Sequence, residues 1–310
     1  MWDDDVIIYQ NTNIRDFNIA RLGKIFTDID SMMRYNPLTL LGWGITYRFF
    51  GAKPFWFHLG NWLMHGLNAG LVFLVLRKLL LLAIIHRKTI NVEPWKITLA
   101  CGLGALLWSL HPLRVEPVAW CTDRTYCQAL LFLLFALLFY LWANEPGTST
   151  RRYCLLLMLS VVFYIVSLLS YAIGMTFFLV LIVLDIYLFR KLTLHNKWWE
   201  TPANRLALLE KIPYAGAAVI IALVTVCIRI ASAGVWTKPV SLAQFGLHER
   251  LWQAIYIWAY YIWRPWYPFN LSPFYTTLVT FQPFWIFIIS AILLIGIIKL
   301  AMNLQSRWPL

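Results

Sequence analysis

Long apolar runs recur along this chain from residue 56 to its end, separated by short polar loops. A helix that crosses a bilayer takes about 20 apolar residues. On that measure the pattern predicts about eight spans, near 56–84, 96–110, 126–143, 153–170, 172–189, 213–233, 250–267 and 283–302. Residues 10–50 are too polar to span. Within them 37–50 keeps an apolar face interrupted by Arg48, which predicts an amphipathic helix on the outer membrane surface. The expected fold is an all-α polytopic membrane protein with an extra-membrane N-terminal segment over 1–55 and a transmembrane helical domain over 56–310. No internal repeat of 20–50 residues is visible.

Composition agrees. The 310 residues are 61% hydrophobic and 13% charged, whereas a soluble domain is about half apolar and a quarter charged. The 17 Trp, 15 Tyr and 20 Phe suit aromatic belts at the two interfaces. A net charge of +12 raises nucleic acid as a partner, but the positive residues sit in short loops between apolar runs, as membrane topology requires. No nucleic acid is expected; the membrane lipids are.

Arg77, Lys78, Arg87, Lys88 and Lys96 follow the first span, Arg151 and Arg152 the third, and Arg190, Lys191, Lys197, Arg205 and Lys211 the fifth. These loops share one side, the cytoplasm. Segments 1–55, 111–125 and 234–249 then lie opposite, with both termini non-cytoplasmic. Met1-Trp2 opens onto acidic residues, so no signal peptide is expected. Five scattered cysteines (Cys101, Cys121, Cys127, Cys154 and Cys227) show neither metal spacing nor a disulfide framework.

Few polar groups are placed to do chemistry. Asp3-Asp4-Asp5 can hold a divalent cation, or one aspartate can act as a general base; the plain alternative is a solvated acidic terminus. His58, Asn61, His65 and Asn68 share one helix face. They line a cavity, or they bond neighbouring helices together. The two histidines are about 10 Å apart and cannot chelate one metal alone. The densest cluster is His111, Arg114, Glu116, Asp123 and Arg124 between two apolar runs. Ionisable groups at such depth need partners or a function. Arginine pairs bidentately with phosphate, so Arg114 and Arg124 suit a lipid-linked phosphate; the alternative is an ion-pair network with Glu116 and Asp123. Asp185 ends an apolar run, where it suits either the cytoplasmic interface or a pair with Arg190. Arg264 suits snorkelling to an interface.

Several blocks in order resemble one family. Trp2-Asp3-Asp4-Asp5 through Asn11, Asn36-Pro37-Leu38-Thr39, Phe57-His58-Leu59-Gly60-Asn61 through Ala69, His111-Pro112 through Arg124, Leu184-Asp185-Ile186-Tyr187, and Arg250 through Arg264 followed by Asn270, Phe274 and Tyr275 are similar to the membrane part of the transmembrane-and-tetratricopeptide-repeat proteins. These belong to the GT-C glycosyltransferase superfamily. The resemblance implies a GT-C-like fold and a polyprenyl-phosphate-linked sugar as donor. It implies a protein or glycan hydroxyl as acceptor, on the non-cytoplasmic side. It implies that Asp3 or Asp4 is the catalytic base and that Arg124 and Arg114 hold the donor phosphate. His111, Glu116 and Asp123 would line the site with His58, Asn61 and His65. A divalent cation would sit among Asp3, Asp4 and Glu116.

The chain departs from that pattern in places. The family carries a helix before its aspartate pair, a lysine where Tyr171 stands, a Lys-Asp pair where Thr125 and Tyr126 stand, and a lysine where Arg264 stands; its repeats are not found here. These departures motivate a second expectation, a non-catalytic relative serving as an assembly subunit. Other membrane subunits would then replace the missing helix, with Trp252, Trp258, Trp263 and Trp266 available for lipid or subunit contacts.

Overall fold

The computed structural model describes residues 3–28, 34–87, 92–192, 201–231, 241–269, 271 and 284–307. Met1, Trp2, Lys88, Lys197, Asn270, Phe274 and Tyr275, with residues 234–240 of the expected loop 234–249, lie outside them. The chain divides into two compact units, Met1–Ala233 and Gly234–Leu310.

Among the described residues every regular element is a helix. In the first unit a π-helical turn, Asp5–Tyr9, leads to α1 (Thr12–Arg15), α2 (Leu22–Thr27) and α3 (Pro37–Phe50). The apolar segments follow as α4 (Pro54–Arg87), α5 (Pro94–Ser109), the one-turn α6 (Val115–Ala119), α7 (Arg124–Ala143), α8 (Thr150–Ser170), α9 (Phe177–Tyr187), α10 (Pro202–Leu209) and α11 (Ile212–Ala231). The second unit holds α12 (Leu247–Trp263) and α13 (Phe284–Arg307). Each of the expected spans is thus built around a helix. By length and composition, four stretches among the described residues suffice to cross a membrane: Pro54–Ile85, Arg124–Ala143, Thr150–Ser170 and Pro202–Ala231. Phe177–Tyr187 and Phe284–Leu300 are apolar but shorter. Leucines such as Leu63, Leu67, Leu99, Leu107 and Leu155 stay exposed on the helices, the outward apolar surface of a membrane-embedded bundle.

Proline at the first turn starts α3, α5 and α10, where the missing N–H has no helical partner to lose. α7 and α8 form an antiparallel hairpin stitched by hydroxyls. Ser160 Oγ donates to Ala136 O and Ser167 Oγ to Ala129 O, both at 2.7 Å. Small residues there let the backbones approach, the usual packing device between helices in lipid.

The surface-helix expectation for 37–50 meets a different environment. α3 exists, but Thr39, Leu40, Trp43 and Gly44 are buried. Thr39 Oγ1 donates to Ser170 O at 2.9 Å, and Gln128 Nε2 donates to Leu38 O at 3.0 Å. Its outer side carries Phe17 of the N-terminal segment; a Cβ at Gly44 would meet that ring at 2.7 Å, so only glycine lets Phe17 lie this close. Ile8, Ile14, Ile25, Leu40, Trp43, Phe57 and Cys121 form one apolar core. The N-terminal segment is therefore packed onto α3, α4 and the loop before α7.

At the far end of α7, about 24 Å from its start by helical rise, sits a second polar centre. Asp185 and Lys211 are fully or nearly buried and pair at 2.6 Å. Tyr140 Oη donates to Asp185 Oδ1. Lys191 pairs with Glu210 at 3.2 Å and donates to Tyr153 Oη at 2.8 Å, and Tyr153 donates to Glu210. Lys211, not the adjacent Arg190, is thus the cation on Asp185. Glu145 faces both Lys78 and Arg152.

In the second unit Trp252 packs on Phe284 and Phe287. Trp258 and Trp266 are exposed. Arg264 is buried, with its guanidinium over the Tyr260 and Trp263 rings.

Candidate functional site

The polar stripe on α4 finds a partner at every position. His58 lies 3.2 Å from Cys121 Sγ. Asn61 Nδ2 donates to Trp120 O at 2.8 Å. His65 Nε2 lies 3.0 Å from Ser109 O, with its ring stacked on Trp108. Asn68 Nδ2 donates to Cys127 O at 2.9 Å. Residues spaced 3, 4 and 3 apart on one helix face thus grip four points of the segment 109–127. This is the interhelical-bonding alternative, and it fixes the segment that carries Arg114, Glu116, Asp123 and Arg124. His111 Nδ1 accepts from Leu113 N at 3.2 Å and caps the turn Pro112–Arg114.

Replacing Asn68, which is buried, by alanine leaves Cys127 O without its side-chain donor. The expected loss is about 1 kcal/mol of stability, the usual size for such a bond in a membrane protein. Thermal unfolding of Asn68→Ala in detergent checks it. Exposed His58→Ala should cost less.

Asp4 is 3% exposed. Its Oδ1 accepts from Thr122 N at 3.0 Å, which ties the chain's start to the loop before α7. Asp3 is exposed. Asp123 precedes α7 and is half-buried. Burial, then the neighbouring Glu116, pushes its carboxyl up to about 7; Asp4 and Asp3 add to the rise and Arg34 opposes it. The Cys121 thiol is pushed up to about 12 by burial and then by Asp4, so at neutral pH it is an uncharged core group.

The raised Asp123 pKa has a pH consequence. The native state holds this proton from about pH 4, where a free aspartate loses it, up to about 7. Stability from this group is full below about pH 4 and is lost as pH rises through 7. The groups facing it are Glu116, Asp3, Asp4, Arg34, Tyr126 and Cys127. Melting temperature measured from pH 4 to 8 should fall more for the natural protein than for Asp123→Asn.

The arginines do not form the ion-pair network that Glu116 and Asp123 suggested. Among the described residues neither Arg114 nor Arg124 pairs with a carboxylate. Arg124 is 8% exposed. It points between α3 and α4: Nη1 donates to Thr46 Oγ1 at 3.1 Å, and a Cβ at Gly42 or Gly60 would lie 3.2 or 3.5 Å from the guanidinium. Arg114 stacks over the Trp108 ring at 5.2 Å, and burial lowers its pKa. Both guanidiniums are close enough to Cys127 to act on its thiol. Each has a buried Nε without a hydrogen-bond partner among the described residues.

A metal fits poorly. Among the described residues no three His, Cys, Asp or Glu side chains converge to hold an ion. One oxygen of Asp4 is already committed to the Thr122 amide. Asp3, Asp4 and Glu116 therefore do not build the cation site expected of them, and no step below runs through a metal.

Sequence reasoning missed three participants. Tyr126 and Tyr171 meet beside Asp123, with rings 4.8 Å apart at 60° and hydroxyls at 3.4 Å. Arg34 donates from Nη1 to Tyr171 Oη at 3.2 Å. The two tyrosines were visible only as departures from a family pattern, and Arg34 carried no signal.

Comparison with known proteins bears on this site. The chain is 30% identical over 175 residues to "Protein O-mannosyl-transferase tmtc2" of Xenopus laevis, covering 56% of this chain and 19% of that protein. It is 26% identical over 170 residues to "Protein O-mannosyl-transferase TMTC1" of Mus musculus, covering 53% and 17%. With "Protein O-mannosyl-transferase TMTC2" of Homo sapiens it shares 30% over 131 residues, 42% and 13%. The chain thus spans under a fifth of each relative's length. No family model and no solved structure matches. Over about half its length this chain is a membrane domain similar to that of the TMTC-type protein O-mannosyl-transferases.

Proposed function

We propose that this membrane protein transfers a sugar from a polyprenyl-phosphate donor to a hydroxyl acceptor, by a GT-C-type inverting displacement on the non-cytoplasmic side. The observation that carries the reading is a pair of arginines without carboxylate partners among the described residues, buried Arg124 and half-buried Arg114, each with a buried Nε that no hydrogen bond satisfies. Uncompensated buried charge is costly, and a lipid-borne phosphate is the counter-ion that fits. Its similarity to named O-mannosyl-transferases supports the same chemistry and makes mannose the first sugar to try.

In the reaction the acceptor oxygen bonds to the anomeric carbon as the bond from that carbon to the phosphate oxygen breaks. The acceptor proton passes to an aspartate, for which exposed Asp3 is better placed than Asp4. The electron pair of the broken bond leaves on the lipid phosphate, where the guanidiniums stabilise it.

A second reading, a scaffold subunit without activity, draws on one observation. The Tyr126 and Tyr171 rings pack on one another beside Asp123, and tyrosines that satisfy each other suit a retired site.

The test is phosphate binding. Farnesyl phosphate titrated into the full chain in nanodiscs should saturate, and Arg124→Gln should weaken it by about tenfold or more, as expected for one charge-assisted pair. Equal affinity in both proteins would remove the arginine from the donor site.

A further inference from the structure

The Arg124 guanidinium is seated on one face of α3. Gly42 and Thr46 stand one helical turn apart on that face. Thr46 Oγ1 donates to Gly42 O at 2.9 Å, the bond back to the preceding turn that a helical threonine commonly makes. A hydroxyl has one proton and two lone pairs. With the proton committed, a lone pair is what meets Arg124 Nη1 at 3.1 Å. Beside that bond, a Cβ on Gly42 would come within 3.2 Å of Arg124 Nη2 and 3.3 Å of Cζ. The guanidinium therefore lies closer to α3 than a side chain at 42 would allow. The same Cβ would meet Gln128 Oε1 at 3.2 Å, and Gln128 is anchored through Nε2 to Leu38 O and Ser170 Oγ. The α4 side is looser: a Cβ at Gly60 would stand 3.5 Å from Nη1, an ordinary contact.

We propose that Gly42 and Thr46 are positioning residues that seat the Arg124 guanidinium on α3 and hold it without cancelling its charge. The inference rests on the transferase reading and assigns what aims its phosphate-binding group.

The chemistry of the partner matters as much as its place. A carboxylate at 46 would hold Arg124 firmly but would pair with its charge. Threonine holds it through a neutral oxygen, and the buried Nε keeps no hydrogen-bond partner among the described residues. Charge and donor are both left for an anion from outside the chain, which a lipid-borne phosphate supplies. The missing Cβ at 42 does the complementary work, since it lets a wide planar cation sit against a helix backbone.

The test titrates farnesyl phosphate, and separately farnesol, its uncharged alcohol, into the full chain in nanodiscs, beside melting curves. Thr46→Val keeps the shape and loses the lone pair. It should weaken farnesyl phosphate by about fivefold, the usual scale of one hydrogen bond, and leave farnesol unchanged. Thr46→Ser restores the hydroxyl and should bind the phosphate within about twofold of the natural protein. Gly42→Ala crowds Nη2 and should weaken the phosphate by about threefold, whereas Gly60→Ala, which has room, should not. Thr46→Val carries the test should Gly42→Ala lose its thermal transition, and Gly42→Ala carries it in the reverse case. Unchanged phosphate affinity in Thr46→Val and Gly42→Ala, with Arg124→Gln still weakened, would overturn the positioning role and leave the donor site standing. Equal losses in Thr46→Ser and Thr46→Val, or parallel losses of phosphate and farnesol, would also overturn it, because the effect would then be general packing. Unchanged phosphate affinity in Arg124→Gln would instead count against the donor reading itself.

Discussion

Lys211→Met is expected to cost about 3–5 kcal/mol of stability, the range for breaking one partner out of a buried pair. Asp185 is 0% exposed and Lys211 is 3% exposed. Their pair at 2.6 Å joins the end of α9 to the junction of α10 and α11. Removing the ammonium leaves a carboxylate with Tyr140 as its remaining side-chain donor. The second acid nearby, Glu210, already pairs with Lys191, so that lysine is not free to take over. Chemical unfolding in detergent measures the loss. The double change Asp185→Leu with Lys211→Met should recover most of it, because removing both members of a buried pair is far cheaper than removing one. A single variant within about 1 kcal/mol of the natural protein would mean that water reaches the pair.

The hydropathy pattern carried much of the fold. Apolar runs announced the helices because in lipid every backbone group must bond within its own segment. The sequence also placed His58, Asn61, His65 and Asn68 on one face, since that follows from helical spacing alone. It left open whether they line a cavity or bind helices, because partners such as Trp120 O and Cys127 O are backbone atoms and leave no mark in the side-chain pattern. Lys211 on Asp185, in place of Arg190, was illegible for a related reason. Ion pairs follow spatial neighbours, and α10 returns a residue 26 positions away to the end of α9. The burial of α3 was hidden too. Its apolar face reads the same whether it meets lipid or, as here, α7 and α8.

Asp3→Asn and Asp4→Asn are expected to behave differently, although the two residues are adjacent and chemically alike. Asp4 is buried and accepts the Thr122 amide, so its carboxylate holds the loop that presents Asp123 and Arg124. Asparagine keeps an acceptor oxygen there but loses the charge-assisted strength of the bond. Asp4→Asn should therefore lower both the melting temperature and transfer. Asp3 is exposed, and only its backbone oxygen is committed, to Ile7 N at 2.8 Å. Among the described residues nothing bonds its carboxylate, which leaves it for a substrate. If Asp3 takes the acceptor proton, Asp3→Asn should cut transfer by about 10²–10⁴-fold, the range for losing a general base, while the melting temperature stays put. The measurement is transfer of labelled mannose from polyprenyl-phosphate mannose to a serine- and threonine-containing peptide, made beside the melting curves. Loss of transfer in Asp4→Asn alone, at unchanged stability, would move the base to Asp4. Transfer retained by both single variants and by the double variant would remove the N-terminal aspartates from the chemistry and leave Asp123, whose carboxyl is pushed up to about 7, as the acid–base group beside α7.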